Sequence, residues 1–124
     1  MIKRRVINRD KLEEDILAEA VRAFAEFGYE GTSIATVAEN AGLSKQNLMY
    51  YFPTKQALYE RVLDSVLDDW LERMESLADP LRDPADVLRD YISAKLRFSR
   101  EQPLASRVYA MEVIAGAKLY GQQI

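Results

Sequence analysis

The chain has 124 residues, 48% of them hydrophobic, with 17 basic and 20 acidic side chains for a net charge of -3. That length suits one domain, or two small ones sharing a core, while the acidic balance argues against a protein that coats nucleic acid through bulk positive charge. With no cysteine and no histidine, disulfides and thiolate zinc sites are excluded and the commonest general base is missing, so no catalytic residue, metal site or cofactor is expected.

Met1 to Lys11 holds Lys3, Arg4, Arg5, Arg9 and Lys11 against one acid, Asp10. A basic arm of this kind suits DNA phosphates or a minor groove, and it equally suits a solubilising disordered tail. From Asp10, Leu12, Ile16, Leu17, Ala20, Val21, Phe24 and Phe27 recur at helical spacing, and Gly28 ends this first helix where a left-handed cap costs little. Tyr29 to Thr32 is a connector, after which Thr32 or Ser33 caps the next helix.

The stretch SIATVAENAGLSKQNLMYYF, Ser33 to Phe52, reads as two short helices around a tight turn at Ala41-Gly42-Leu43, with Ser44 opening the second. This is the shape of a helix-turn-helix, whose second helix enters the DNA major groove. Val37, Ala38, Ala41, Leu43, Leu48 and Tyr51 are the packing positions. Lys45, Gln46 and Asn47 are left at the start of the second helix, where base edges would be met. Gln and Asn suit adenine N6 and N7, and Lys suits guanine or a phosphate. Three consecutive residues fan over about 200° of helix, so they cannot all face one groove, and Gln46 and Lys45 are favoured over Asn47. Tyr50 is expected to be exposed with its hydroxyl available to a phosphate, and Tyr51 and Phe52 to pack.

Phe52-Pro53-Thr54-Lys55 breaks the chain and starts a fourth helix, Lys55 to Leu77, with a stripe of Leu58, Val62, Leu63, Val66, Leu67, Trp70, Leu71 and Met74. Its length, above about 30 Å, lets it join the reading end to a second helical body. Asp79-Pro80 stops it. Asp83-Pro84 caps a fifth helix with Val87, Leu88, Tyr91, Ile92, Leu96 and Phe98 inward, and Pro103 starts a sixth with Leu104, Val108, Met111, Val113 and Ile114 before Gly116. No segment alternates with period two. The expected fold is therefore all-α: a three-helix helix-turn-helix domain at residues 1–54, then a linker helix and part of a ligand-binding and dimerisation domain at 55–124. The fifth and sixth helices leave apolar surface with little chain to cover it, so a front portion of a longer protein, or a domain pairing with another chain, is expected.

The run from Phe24 to Leu58, F-x-x-x-G-Y-x-x-T-S-I-x-x-V-A-x-x-A-G-L-S-K-x-x-L-x-Y-Y-F-P-x-K-x-x-L, resembles the DNA-binding domain of TetR-family transcriptional regulators. The resemblance implies homodimers that bind palindromic double-stranded operators, usually as repressors, and release DNA when a small molecule enters the second domain. By position it implies phosphate contacts from Thr32 or Ser33, Tyr50, Tyr51 and Lys55, and base contacts from Lys45, Gln46 and Asn47. Tyr50 stands where many members have histidine. L-Y-x-x-V-L at Leu58 to Leu63, Trp70-Leu71, Y-I-x-x-K-L at Tyr91 to Leu96, S-R-x-x-P-x-A-S-R from Ser99 and M-E-x-x-x-G through Gly116 are similar to the pyrimidine-sensing, RutR-like branch. That similarity implies a pyrimidine or similar planar metabolite as effector.

On the ligand side, a pocket between the fourth and sixth helices is expected to use Trp70 for stacking, with Arg107, Met111 and Glu112 on the sixth helix. The structural alternative is that Trp70 is core and that Arg107 and Glu112 pair with each other or with neighbouring helices. For the chain as a whole, a second reading is a helical protein–protein interaction module without DNA binding; an enzyme is the weakest, because carboxylates, Lys and Tyr would have to supply all acid–base chemistry. No apolar leader and no run of about 18 apolar residues is present, so neither a signal peptide nor a membrane span is expected and the cytoplasm is the default.

Overall fold

A computed structural model describes residues 2–119, with residues 2–9 and 76 described by backbone alone. Six α-helices follow one another, and no strand occurs among the described residues: α1 Ile2–Gly31, α2 Ile34–Asn40, α3 Lys45–Tyr51, α4 Lys55–Met74, α5 Pro84–Glu101 and α6 Pro103–Ile114. One continuous core joins them. Ile16, Ala20 and Phe24 of α1 meet Val37 and Ala38 of α2, Leu48 of α3, Leu58, Val62 and Leu63 of α4, Phe98 of α5 and Val108 of α6.

The helix breaks are local chemistry. Gly28 sits at φ 75°, ψ 177° inside the segment assigned to α1, a backbone region essentially reserved for glycine, and Thr32 Oγ1 donates to its carbonyl at 2.7 Å. The turn between α2 and α3 is a Schellman motif. Gly42 at φ 76° follows the end of α2, its N–H reaching the Glu39 carbonyl at 3.0 Å while the Leu43 N–H reaches that of Ala38 at 2.8 Å. The same motif closes α6, where the Gly116 N–H meets the Val113 carbonyl at 3.0 Å and the Ala117 N–H that of Glu112 at 2.8 Å. Caps start the helices: Ser44 Oγ accepts from Asn47 N at 3.1 Å, Thr54 Oγ1 from Ala57 N at 3.0 Å, and Asp83 Oδ1 from Ala85 N at 2.9 Å ahead of Pro84.

Several elements differ from the sequence expectation. α1 starts at Ile2 instead of Asp10, since nothing in residues 2–9 breaks a helix and Lys and Arg are good helix formers; the side chains of Lys3, Arg4, Arg5 and Arg9 lie outside the described residues. α4 ends at Met74, and a 3-10 turn at Glu75–Ala78 replaces its expected last turn. Phe27 is 55% exposed, at the rim of a cavity between α1 and α6, and Leu71 is exposed. On α5, Phe98 is buried and Val87 and Ala94 are half-buried, whereas Leu88, Ile92 and Leu96 are 59%, 50% and 63% exposed and Tyr91 also lies open on one side. Apolar residues on α5 form two neighbouring stripes. The bundle covers the one through Val87 and Phe98 and leaves the one through Leu88, Ile92 and Leu96 bare.

Candidate nucleic-acid interface

The two short helices α2 and α3 carry the surface in question. Leu48, fully buried, pins α3 onto Val37 and Ala38 of α2, with Ala41, Leu43 and Ile34 packed around them. Because Leu48 points inward, the residues before and after it point out. Lys45, Gln46, Asn47 and Met49 are exposed, and Tyr50 is 77% exposed. Tyr51 is half-buried against the core and meets the Tyr50 ring edge-on, 5.3 Å between centroids, which stiffens Tyr50 without covering it.

Thr32 and Ser33, interchangeable as a cap in the sequence, have separate jobs. Thr32 is buried with its hydroxyl on the Gly28 carbonyl, so it holds the α1–α2 corner. Ser33 occupies the N-cap position in extended geometry, makes no side-chain cap bond and is exposed. Lys55, in the first turn of α4, places its Nζ over the Tyr29 ring, 4.5 Å from the centroid. Tyr29 in turn stacks on Phe24 at 6.2 Å and meets Tyr59 edge-on at 5.0 Å. Neither the Tyr29 contact nor the exposure of Met49 beside Tyr50 was read from the sequence; a tyrosine in a connector gives no periodic signal, whereas Met49 follows Lys45 by four residues and could have been placed on its face.

The ligand-side residues do not converge on one pocket. Trp70 meets Tyr91 edge-on at 5.9 Å and Phe98 at 5.6 Å, with Lys95 Nζ 5.2 Å from its ring. With Ser106 and Tyr109 of α6, these residues line a cavity of about 380 Å³ between α4, α5 and α6. Met111 and Glu112 face the other way, into a cavity of about 430 Å³ shared with Phe27, Tyr29 and Tyr59. Arg107 is exposed and lines neither. The expected grouping fails because α6 is wedged between α1 on one side and α4 and α5 on the other, so residues a few positions apart serve different faces. Glu112 is buried and accepts from the Tyr59 hydroxyl at 2.8 Å and the Leu119 N–H at 3.0 Å, so it binds a neighbouring helix.

Residues 16–62 match the family model described as bacterial regulatory proteins, tetR family, and residues 63–124 match that of the YcdC-like protein, C-terminal region. The chain belongs to the TetR family. It is 45% identical over 104 residues to the HTH-type transcriptional regulator RutR of Escherichia coli K12, covering 84% of this chain and 49% of that one. It is 30% identical over 57 residues to the HTH-type negative transcriptional regulator of the biofilm operon, IcaR, of Staphylococcus aureus Newman, covering 46% of this chain and 31% of that one. Among solved structures, a TetR-like regulator from Rhodococcus sp. RHA1 superposes with a TM-score of 0.81 at 24% identity over 90% of this chain and 60% of the other. AibR, solved with isovaleryl coenzyme A and operator DNA, superposes at 0.73 with 21% identity over 89% of this chain and 60% of its own. At those identities the likeness shows a shared TetR-family fold. This chain spans about half the length of RutR and about a third of the more distant IcaR. Those relatives are transcriptional regulators and not enzymes, and no helix among the described residues is long and apolar enough to cross a membrane.

Proposed function

We propose that the protein is a sequence-specific DNA-binding transcriptional repressor of the TetR family, controlled by a small molecule. The observation that carries this reading is the exposed row of Lys45, Gln46 and Tyr50 on a helix pinned by buried Leu48. In this reading Lys45, Gln46 and Asn47 meet base edges, Gln46 foremost. Ser33, Tyr50, Tyr51 and Lys55 meet phosphates, and Thr32 contributes by fixing the corner from which α2 starts. Residues 1–54 form the DNA-binding unit, and residues 55–124 begin the unit that senses ligand and pairs two copies on a palindromic operator in the cytoplasm. The effector site is the cavity around Trp70, whose Tyr91 and Phe98 rings and Lys95 ammonium suit a planar, polar-edged molecule such as a pyrimidine.

The test is enrichment of genomic fragments by the protein that carries this chain, followed by fluorescence anisotropy on the enriched site. Affinity should fall steeply with salt. Gln46→Ala should cost about 1–3 kcal/mol on the cognate site and relax preference there, while Lys55→Ala should weaken all sequences alike. Unchanged binding in both variants sinks the assignment of these residues. For the effector, titration calorimetry with nucleobases should give heat that Trp70→Ala removes; no heat with any nucleobase ends the pyrimidine reading.

A further inference from the structure

We propose that Tyr29 is a positioning residue for DNA binding: its ring holds the Lys55 ammonium in place without neutralising it. This rests on the reading of Lys55 as a phosphate contact. Lysine is a flexible stem carrying a compact charge with no preferred direction, so a lysine meant for one phosphate gains from being held before the phosphate arrives. In this structure the holding group is an aromatic face, with Nζ 4.5 Å from the ring centroid. Among the described residues no carboxylate lies within ion-pair distance of that ammonium. The distinction matters. A carboxylate partner would cancel the charge and have to be displaced by DNA, whereas a ring attracts the cation through its quadrupole and leaves the full positive charge to the phosphate.

The ring is itself fixed. Phe24 stacks on it with the planes 12° apart, and Tyr59 closes on it edge-on at 5.0 Å. Tyr29 also stays neutral: burial first, then the nearby charges of Glu30 and Glu60, push its hydroxyl above its ordinary range. The geometry therefore sets a lysine from the first turn of α4 against a residue of the α1–α2 corner, the corner that Thr32 locks.

The experiment compares salt dependence of operator binding for Tyr29→Phe, Tyr29→Leu, Tyr29→Met, Lys55→Met and the Tyr29→Leu/Lys55→Met double variant. The ring-current shift of the Lys55 Hε protons is read in the free protein. Tyr29→Phe should keep both the upfield Hε shift and the salt slope. Tyr29→Leu and Tyr29→Met should lose the shift and weaken operator binding by about two- to fivefold, whereas Lys55→Met, which removes the charge itself, should also lower the slope by about one, and the double variant should bind no more weakly than Lys55→Met. Hε protons at their unperturbed position in the unmodified protein overturn the proposal even if the leucine variant does not fold. So does a leucine variant that adds its full effect to Lys55→Met, since that marks simple packing. No DNA binding by the unmodified protein overturns the DNA-binding reading itself, and this proposal with it; operator affinity that ignores Tyr29→Leu and Tyr29→Met overturns this proposal alone.

Discussion

The hydroxyl of Tyr59 on α4 donates to Glu112 Oε1 on α6 at 2.8 Å, a buried bond between residues 53 positions apart. It ties the helix that follows the reading unit to the helix that separates the two cavities. Tyr59→Phe should cost about 1–3 kcal/mol, the usual penalty for leaving a buried acceptor short of a donor, measured by urea denaturation. Burial first, then the Glu112 acceptor, raises the Tyr59 hydroxyl above its ordinary 10.0. A raised folded-state value means its stabilisation is complete below about pH 10 and is lost as pH rises from there through that higher value. Stability of the unmodified protein should therefore fall more steeply above about pH 10 than that of Tyr59→Phe; parallel curves would refute the coupling.

Gly28 and Gly42 hold left-handed backbone at φ 75° and 76°, yet neither lacks space: a Cβ at Gly28 would meet only Met111 Cε at 3.5 Å, and one at Gly42 would meet nothing within 4 Å. The cost of substitution is thus conformational. Gly28→Ala should lose about 1–3 kcal/mol because its ψ is extended. Gly42→Ala should lose about 1–2 kcal/mol, with Gly42→Asn milder, since asparagine tolerates that region. Thermal melts that leave Gly28→Ala unchanged would show that the corner bends another way.

Three hydroxyl residues at helix starts should behave differently. Ser44→Ala and Thr54→Ala each remove a cap bond and should cost about 1 kcal/mol, with faster amide exchange in the first turns of α3 and α4. Ser33 makes no such bond, so Ser33→Ala should change stability by less than about 0.5 kcal/mol. Equal losses at all three positions would contradict the cap geometry.

The bare stripe of Leu88, Ile92 and Leu96 should drive self-association, since contiguous exposed apolar residues of this kind seek cover. Leu88→Lys with Leu96→Glu should leave the melting of the chain within about 0.5 kcal/mol and remove concentration-dependent sedimentation. Phe98→Ala, on the covered stripe, should instead cost about 3–5 kcal/mol. A clean monomer for the unmodified chain would dispose of the association.

What could be read from the sequence was what short-range chemistry decides. Gly42, Ser44, Thr54 and Asp83-Pro84 act on backbone groups two to four residues away, so the helix-turn-helix outline and the helix starts were visible in the letters alone. The exposure of Tyr50 followed from Leu48 facing inward. The rest depended on which faces meet. Leu88, Ile92 and Leu96 are as apolar as Phe98, and only the packing of α5 on its neighbours distinguishes them. Glu112 and Trp70 looked like one pocket because α6 was taken to have one inner face, and it has two. Tyr29, just past the Gly28 kink near the end of α1, carried no pattern; its contact with Lys55 exists only because α1 and α4 pack side by side.

α4 runs unbroken for 20 residues from Lys55 to Met74, a rod of about 30 Å. Lys55 stands at one end, and Trp70, with its cavity, near the other. Rods convert angle into distance: pivoting α4 by about 6° about one end sweeps the opposite end through about 3 Å, close to the ~3.4 Å rise of one nucleotide along a DNA strand. In the proposed reading, a molecule entering between Trp70 and α5 would need to tilt α4 by only that much to carry Lys55 the distance of one nucleotide along the strand.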